Sequence, residues 1–209
     1  MDVRESYDSV ARAYAEQVAA ELEHKPLDRA LLARFAEEVR GRGLVVDLGC
    51  GPGHVARHLA GLGVAMVGID LSPGMVREAS RLNPAMDFRV GDARALDLGD
   101  AALAGVVAFY AIVHFDAPEL PAVFREIRRA LAPGGAALLG FHVDRGEHVV
   151  HRDELFGAPV SLDFRFHDPR AVSVALESSG LRVIEHVERE PYEGKEFPSR
   201  RCYLLARAV

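Results

Sequence analysis

Cysteine is scarce in this chain: only Cys50 and Cys202 occur in 209 residues. Two cysteines suggest no disulfide framework, and a reducing compartment fits them. Long apolar runs are missing as well. The longest stretch free of charged residues and histidine, Ala101–Val113, falls short of the about 20 apolar residues that span a bilayer. Nor is there a basic excess. Lys and Arg number 25 against 31 Asp and Glu, a net charge of −6, which argues against a nucleic-acid surface. The cluster Arg125, Arg128, Arg129 falls on a helical pattern with Glu126 among it and reads as a solvated face; Arg200 and Arg201 form a second basic pair. The opening MDVRESYDSVARAYAE carries charges throughout, so no secretory leader is expected. A cytoplasmic protein, with neither nucleic acid nor membrane as partner, is the expectation.

What is present is an ordinary globular balance, 49% hydrophobic and 27% charged, long enough for one domain with a substantial core. No repeat or composition break divides residues 1–209. Residues 5–22 show helical periodicity, with Tyr7, Val10, Ala11, Tyr14 and Val18 on one face, and 27–39 make a second amphipathic helix before Gly41 and Gly43. LVVDL (44–48) is a short apolar strand of the buried parallel type. Helix 54–63, strand 65–70, helix 73–82 with Ser72 as cap and Pro73 in its first turn, and strand 86–92 follow. Strand 105–111, helix 118–131, the turn APGG and strand 136–143 continue the alternation. It predicts an α/β sheet of mostly parallel strands with right-handed crossovers. Helix 168–181 is capped by Asp168, with Pro169 at its first position. Strands 181–190 and 200–209 then follow with no helix between, so they form an antiparallel hairpin.

The stretch VVDLGCGPG (45–53) places Gly49, Gly51 and Gly53 directly after the first strand. Glycine costs backbone entropy, so such a cluster implies a sharp turn with something large lying against it. In open α/β sheets ligands bind at the carboxyl ends of strands. Asp70 ends the second strand, 19 residues after Gly51, where an acid can accept from both hydroxyls of a ribose. Asp92 ends the third strand in GDA and can receive the exocyclic amine of a base. A glycine floor, a ribose acceptor and a base acceptor describe a nucleoside site. The turn is not G-x-G-x-x-G, which argues against a nicotinamide oxidoreductase, and it lacks the G-K-[ST] of a P-loop.

The stretch resembles the first motif of the class I S-adenosylmethionine (SAM) dependent methyltransferases, and the resemblance extends over residues 5–209. GIDLSPGMV is similar to their ribose strand, GDARAL to the adenine-contacting segment, VVAFYAIVHF to the fourth strand and its exit, and LAPGGAALLGF to the fifth. The resemblance implies a Rossmann-like three-layer sandwich, with a seven-stranded sheet and an antiparallel C-terminal hairpin. It implies SAM as cofactor and S-adenosylhomocysteine as product. It further implies that Gly49 and Gly51 lie against the methionine portion and Asp47 supports the turn. Asp70 takes the ribose, Leu71 and Met75 flank the adenine, and Asp92 and Ala93 address its edge. Phe109 offers its carbonyl to the ammonium. Cys50 reads as a small packing residue.

Methyl transfer from a sulfonium is an in-line displacement in which positioning supplies much of the catalysis, and a base is needed only where the nucleophile must lose a proton. His114, after the fourth strand, is the first candidate for a base or orienting group, and His142, ending the fifth, the second; either is also open to a purely local hydrogen-bonding role. Similar enzymes use the first helix as a lid, which makes residues 1–40 a candidate lid. Tyr7 and Tyr14 then form an aromatic wall or, alternatively, core packing, with Tyr14 placed toward the cofactor. Residues 144–167 are an insert. In PVSLDFRF, Val160, Leu162, Phe164 and Phe166 alternate against Ser161, Asp163 and Arg165, predicting a strand, and with EHVVHRDELF a hairpin over the acceptor pocket. Tyr7, Tyr110, Phe164 and Phe166 are the candidate acceptor wall. His148 and His151 read as the hairpin's polar rim in preference to metal ligands. The fourth-strand exit lacks the Asn/Asp-Pro-Pro-aromatic tetrapeptide, and neither cysteine follows a proline. A small organic molecule methylated on O or N is therefore the expected acceptor. A SAM-binding protein without transfer is the alternative, and an NAD(P)-dependent oxidoreductase a more distant one.

Overall fold

A computed structural model describes residues Met1–Val209. Its strands are β1 (Leu44–Leu48), β2 (Ala65–Asp70), β3 (Asp87–Val90), β4 (Leu103–Phe109), β5 (Leu131–His142), β6 (Val149–Leu155), β7 (Ala158–Arg165), β8 (Leu181–Arg189) and β9 (Arg201–Ala208). The helices are α1 (Val3–Val18), α2 (Pro26–Val39), α3 (His54–Gly61), α4 (Pro73–Leu82), α5 (Leu120–Ala130) and α6 (Pro169–Ser178). Seven strands form one sheet in the order β3-β2-β1-β4-β5-β9-β8. The first five pair in parallel, and β9 runs antiparallel between β5 and β8. The strand order reverses between β1 and β4, so the crevice expected at a switch point opens there.

Both sheet faces are covered, as near-continuous apolar strands require. Val46, Leu48, Val106, Ala108, Leu139 and Phe141 pack with Phe124 and Ile127 of α5 and Val172 and Leu176 of α6. Alternate residues of the same strands, Val45, Val107 and Leu138, pack with Leu32, Phe35 and Val39 of α2 and Leu59 of α3. The predicted hairpin in the insert is present, and β6 pairs antiparallel with β7 as a separate two-stranded sheet. Val160 and Leu162 of its apolar face pack with Val10 of α1, beside Tyr7, Tyr14 and Phe164.

Several expected boundaries move, and β3 stops at Val90, so Asp92 lies beyond the strand's end, in an isolated bridge with Ala95. The first helix stops at Val18, short of residue 22, and a 3-10 turn takes Glu21–His24. Arg57 donates to the Ala19 carbonyl at 2.7 Å and Arg29 to those of Leu22 and Glu23, so side chains satisfy carbonyls that a longer helix would have used. The fourth strand ends at Phe109 because Tyr110 adopts φ +59°. The APGG segment belongs to β5, where it bulges: Leu131 pairs with Leu103, and pairing resumes at Ala136 with Gly105. Ser72 and Asp168 cap their helices as expected, accepting from Met75 N and Arg170 N. No helix is long and apolar enough to cross a membrane.

Candidate functional site

A cavity of about 1130 Å³ opens over the carboxyl ends of the parallel strands. Of the expected site residues it is lined by Tyr7, Tyr14, Gly49, Gly51, Asp70, Leu71, Met75, Asp92, Ala93, Phe109, Tyr110, His114, His142, Phe164 and Phe166. Asp47 alone lies outside this wall. It is buried beneath the loop, and its Oδ2 accepts from the Ala56 N–H at 3.0 Å. That bond fastens the start of α3 to the end of β1. Burial raises the Asp47 carboxyl to about 7, against the opposing pull of His54 and the Ala56 amide.

The three loop glycines have different reasons. A Cβ on Gly49 would stand 2.7 Å from Cβ of Ala111, and one on Gly53 would stand 2.7 Å from the Phe88 ring. Both positions are therefore set by neighbouring chain. A Cβ on Gly51, at φ +51°, would meet only Tyr14, at 3.9 Å, and Gly51 lines the cavity. Its bareness leaves space between the loop and α1. Asp70 Oδ2 accepts from Gly51 N–H at 2.8 Å and Oδ1 from Ser72 N–H at 2.9 Å. Each oxygen keeps a further lone pair. Burial raises its pKa while those two amides pull it down. A nucleoside bearing a charged sulfur fits this cradle: Gly51 gives room, Asp70 offers free lone pairs beside it, and Met75 and Leu71 flank the next stretch of wall. Asp92 is differently engaged. Arg94 grips its carboxylate, with Nη2 2.7 Å from Oδ2, so a base amine there would share the acid with that guanidinium. Hydrogen bonding to Arg94 lowers the Asp92 pKa.

Consecutive residues tie α1 over the cavity. The Ser6 hydroxyl accepts from Ser161 N–H of β7 at 3.0 Å. Asp8 Oδ1 accepts from the Ser72 hydroxyl and the Gly74 N–H, both at 2.6 Å, at the start of α4. Between them, Tyr7 Oη stands 2.8 Å from His114 Nε2. His114 Nδ1 faces the Asp163 carbonyl at 3.1 Å and must donate to it, so Nε2 is the acceptor of the Tyr7 hydroxyl. Both nitrogens of His114 are thus occupied. Burial lowers its pKa to about 4 and raises that of Tyr7 well above the usual phenol value.

The wall beyond the end of β5 is aromatic. His142 lies between the rings of Tyr110 and Phe166, each centroid 5.1 Å away. Burial, helped by Arg201, depresses it to about 3, so the ring is neutral at ordinary pH. Tyr110 is held in the left-handed region, which a bulky residue adopts only when its surroundings over-determine it. Its amide donates to Gly140 at 2.7 Å, and its hydroxyl pairs with that of Tyr203, 3.1 Å away.

Several lining residues escaped the sequence reading: Glu21, Lys25, Arg152, Phe156, Glu196, Phe197 and Arg201. Lys25 is buried, 2.9 Å from Glu21 and 3.3 Å from Glu196. Its only sequence signal was its place before Pro26. Glu196, Phe197 and Arg201 come from the connection between β8 and β9 and the first residue of β9, a stretch without periodicity. His148 and His151 pair with different acids, Asp144 and Asp163. Cys50 packs with Ala56, Ala79 and Phe88, and burial pushes its thiol well up.

Comparison with known proteins adds family evidence. A family model described as a methyltransferase domain matches residues 45–135. The malonyl-[acyl-carrier protein] O-methyltransferase of Enterobacter lignolyticus is 32% identical over 181 residues, 83% of this chain and 68% of that protein. The N-demethylindolmycin N-methyltransferase of Streptomyces griseus is 33% identical over 106 residues, 48% of this chain and 45% of the relative. Among solved structures, the CcbJ methyltransferase of Streptomyces caelestis superimposes with a TM-score of 0.74 at 21% identity, covering 100% of both chains. For three of the curated relatives the matched stretch spans only 36% to 45% of their length.

Proposed function

This chain belongs to the SAM-dependent methyltransferases, and on that premise we propose that it transfers a methyl group from SAM to an oxygen or nitrogen of a small organic acceptor. The observation that carries the reading is the division of one cavity into two chemical halves. The ends of β1 and β2, with the glycine loop, form a polar half matched to an adenosine. The ends of β4 and β5, with the β6–β7 hairpin, form an aromatic half with two neutral histidines.

In this reading SAM supplies an already activated methyl group. Asp70 holds the ribose, Gly51 gives room for the chain beyond it, and Phe109, at the end of β4, faces the methionine end. Lys25, within the same wall, offers an ammonium to the methionine carboxylate. The α1 strap, latched by Ser6, Tyr7 and Asp8, excludes water, and a dry site favours a reaction in which the sulfonium charge disappears. Tyr7 and His114 stand together on the acceptor side. An acceptor hydroxyl that displaces the Tyr7 hydroxyl would find Nε2 of a neutral imidazole, a weak base suited to a proton that leaves late.

The test is transfer of labelled methyl from SAM to a panel of phenols, carboxylic acids and amines, with S-adenosylhomocysteine followed in parallel. Stoichiometric release of S-adenosylhomocysteine with a labelled O- or N-methyl product supports the reading. Tight S-adenosylhomocysteine binding without transfer to any member overturns methyl transfer in favour of a binding role.

A further inference from the structure

The floor of the aromatic half holds two donors that the methyl-transfer chemistry does not employ. Arg201 of β9 and His142 of β5 are register partners on adjacent antiparallel strands, and both line the cavity. Arg201 is only 2% exposed, and a buried guanidinium needs acceptors for its five N–H groups. Nη1 is supplied: it donates to the Phe197 carbonyl at 2.7 Å, to the Ser199 carbonyl, and to Ser199 Oγ at 3.2 Å. Nε is enclosed without a hydrogen bond, although Glu196 Oε2 stands 3.3 Å away. Nη2 makes no hydrogen bond within the chain and is not among the fully enclosed atoms.

His142 presents the same condition. Its Nδ1 lies 2.6 Å from Ser199 Oγ. That oxygen accepts from Arg201; with its own proton given to Nδ1, the ring carries its proton on Nε2, the tautomer the subsite would use. Nε2 has no partner in the chain and is likewise not fully enclosed. The nearest carboxylate is already shared, since Glu196 faces Lys25, Arg189 and Arg201 together. Two neighbouring N–H donors therefore meet the cavity with no acceptor of their own.

The surrounding walls are flat and apolar. Tyr110 and Phe166 flank the His142 ring, and Phe197 lies 6.1 Å from Phe166. Arg152, which enters no ion pair, stands over Phe197 at 5.5 Å. We propose that Arg201 and His142 are an acceptor subsite for the carboxylate of a planar aromatic acid, whose ring lies among Tyr110, Phe166 and Phe197. Two oxygens match two donors, and a carboxylate adds charge complementarity to the guanidinium. A primary amide brings one oxygen and an opposing NH₂. An ammonium brings only donors and a second positive charge.

The subsite rests on the methyltransferase reading for its place beside the cofactor, and the experiment separates the two. Benzoate, benzamide and benzylammonium are titrated calorimetrically into the chain saturated with S-adenosylhomocysteine. Benzoate should bind at least tenfold more tightly than either analogue. Arg201→Gln should weaken benzoate at least tenfold while leaving S-adenosylhomocysteine affinity within threefold. Arg201 also holds the Phe197–Ser199 turn, so Ser199→Ala is a second variant. It removes only the hydroxyl that orients His142 and accepts from Arg201, and it should weaken benzoate severalfold while lowering the melting temperature by only about 2–4 °C. Equal binding of the three probes, benzoate affinity indifferent to both substitutions, or competition between benzoate and S-adenosylhomocysteine would each overturn the subsite. Failure of S-adenosylhomocysteine to bind would instead sink the methyltransferase reading, and the same benzoate comparison on the cofactor-free chain then judges the subsite alone.

Discussion

The hydroxyl of Tyr7 donates to Nε2 of His114 across 2.8 Å, joining the N-terminal helix to the exit of β4. The bond makes one unit of two residues 107 positions apart, and it engages the only base-like atom of His114 with a side chain of α1. His114→Ala should lower turnover about tenfold or more, with S-adenosylhomocysteine affinity changed far less. Steady-state kinetics beside calorimetry checks this, and unchanged turnover removes His114 from the chemistry. Tyr7→Phe should cost about 1 kcal/mol of stability, because Nε2 is left without its donor.

The loop glycines give a paired prediction. Gly53→Ala drives a Cβ into Phe88 at φ +79°, so it should destabilise the fold by about 1–3 kcal/mol in urea unfolding. Gly51→Ala meets only Tyr14 at 3.9 Å. It should cost about 1 kcal/mol for its left-handed backbone yet weaken S-adenosylhomocysteine disproportionately. Equal effects of the two substitutions on binding would contradict the placement of the ligand.

A buried ion pair holds the C-terminal hairpin to α2. Asp28 accepts from Arg189 Nη2 at 2.9 Å and from the Tyr203 hydroxyl at 2.7 Å, with both charged side chains almost wholly enclosed. Arg189→Ala strands the Asp28 charge and should destabilise by about 3–5 kcal/mol. The double replacement Asp28→Leu with Arg189→Met should recover only part of that loss, as measured by chemical unfolding, because Glu196 and the Tyr203 hydroxyl also lose a partner.

The histidine shifts predict a pH signature. The folded His142 titrates near 3, below the unfolded value of about 6.5. Between these values the unfolded chain binds a proton that the folded chain refuses, so stability falls as pH falls. Asp47 has the opposite sign. Its folded pKa of about 7 exceeds its ordinary 3.8, so acid relieves a cost there. Subtraction isolates His142: the stability advantage of the parent over His142→Asn should shrink by about 2 kcal/mol between pH 7.5 and 5. A constant difference would mean that the buried ring charges freely.

Much of this was legible in the sequence because it is written locally. β1, β2 and α4 match their expected limits, since apolar runs bounded by glycine and a Ser-Pro cap are short-range signals. The glycine loop, Asp70 and the alternation of β7 were visible for the same reason. The aromatic and charged floor was not. Lys25 and Asp28 meet Glu196, Arg189 and Tyr203 only through tertiary folding, and no periodicity marks the 190–200 connection. The reason for Gly49 and Gly53 was hidden too, because Ala111 and Phe88 come from other strands or their exits. The engagement of His114 by Tyr7 needed α1 packed against the exit of β4.

The most direct measurement is calorimetric titration of S-adenosylhomocysteine into the parent chain and Asp70→Ala. The account predicts one site per chain, weakened by about 1–3 kcal/mol when the carboxylate is removed. Absence of binding, or equal affinity in the two proteins, would contradict it.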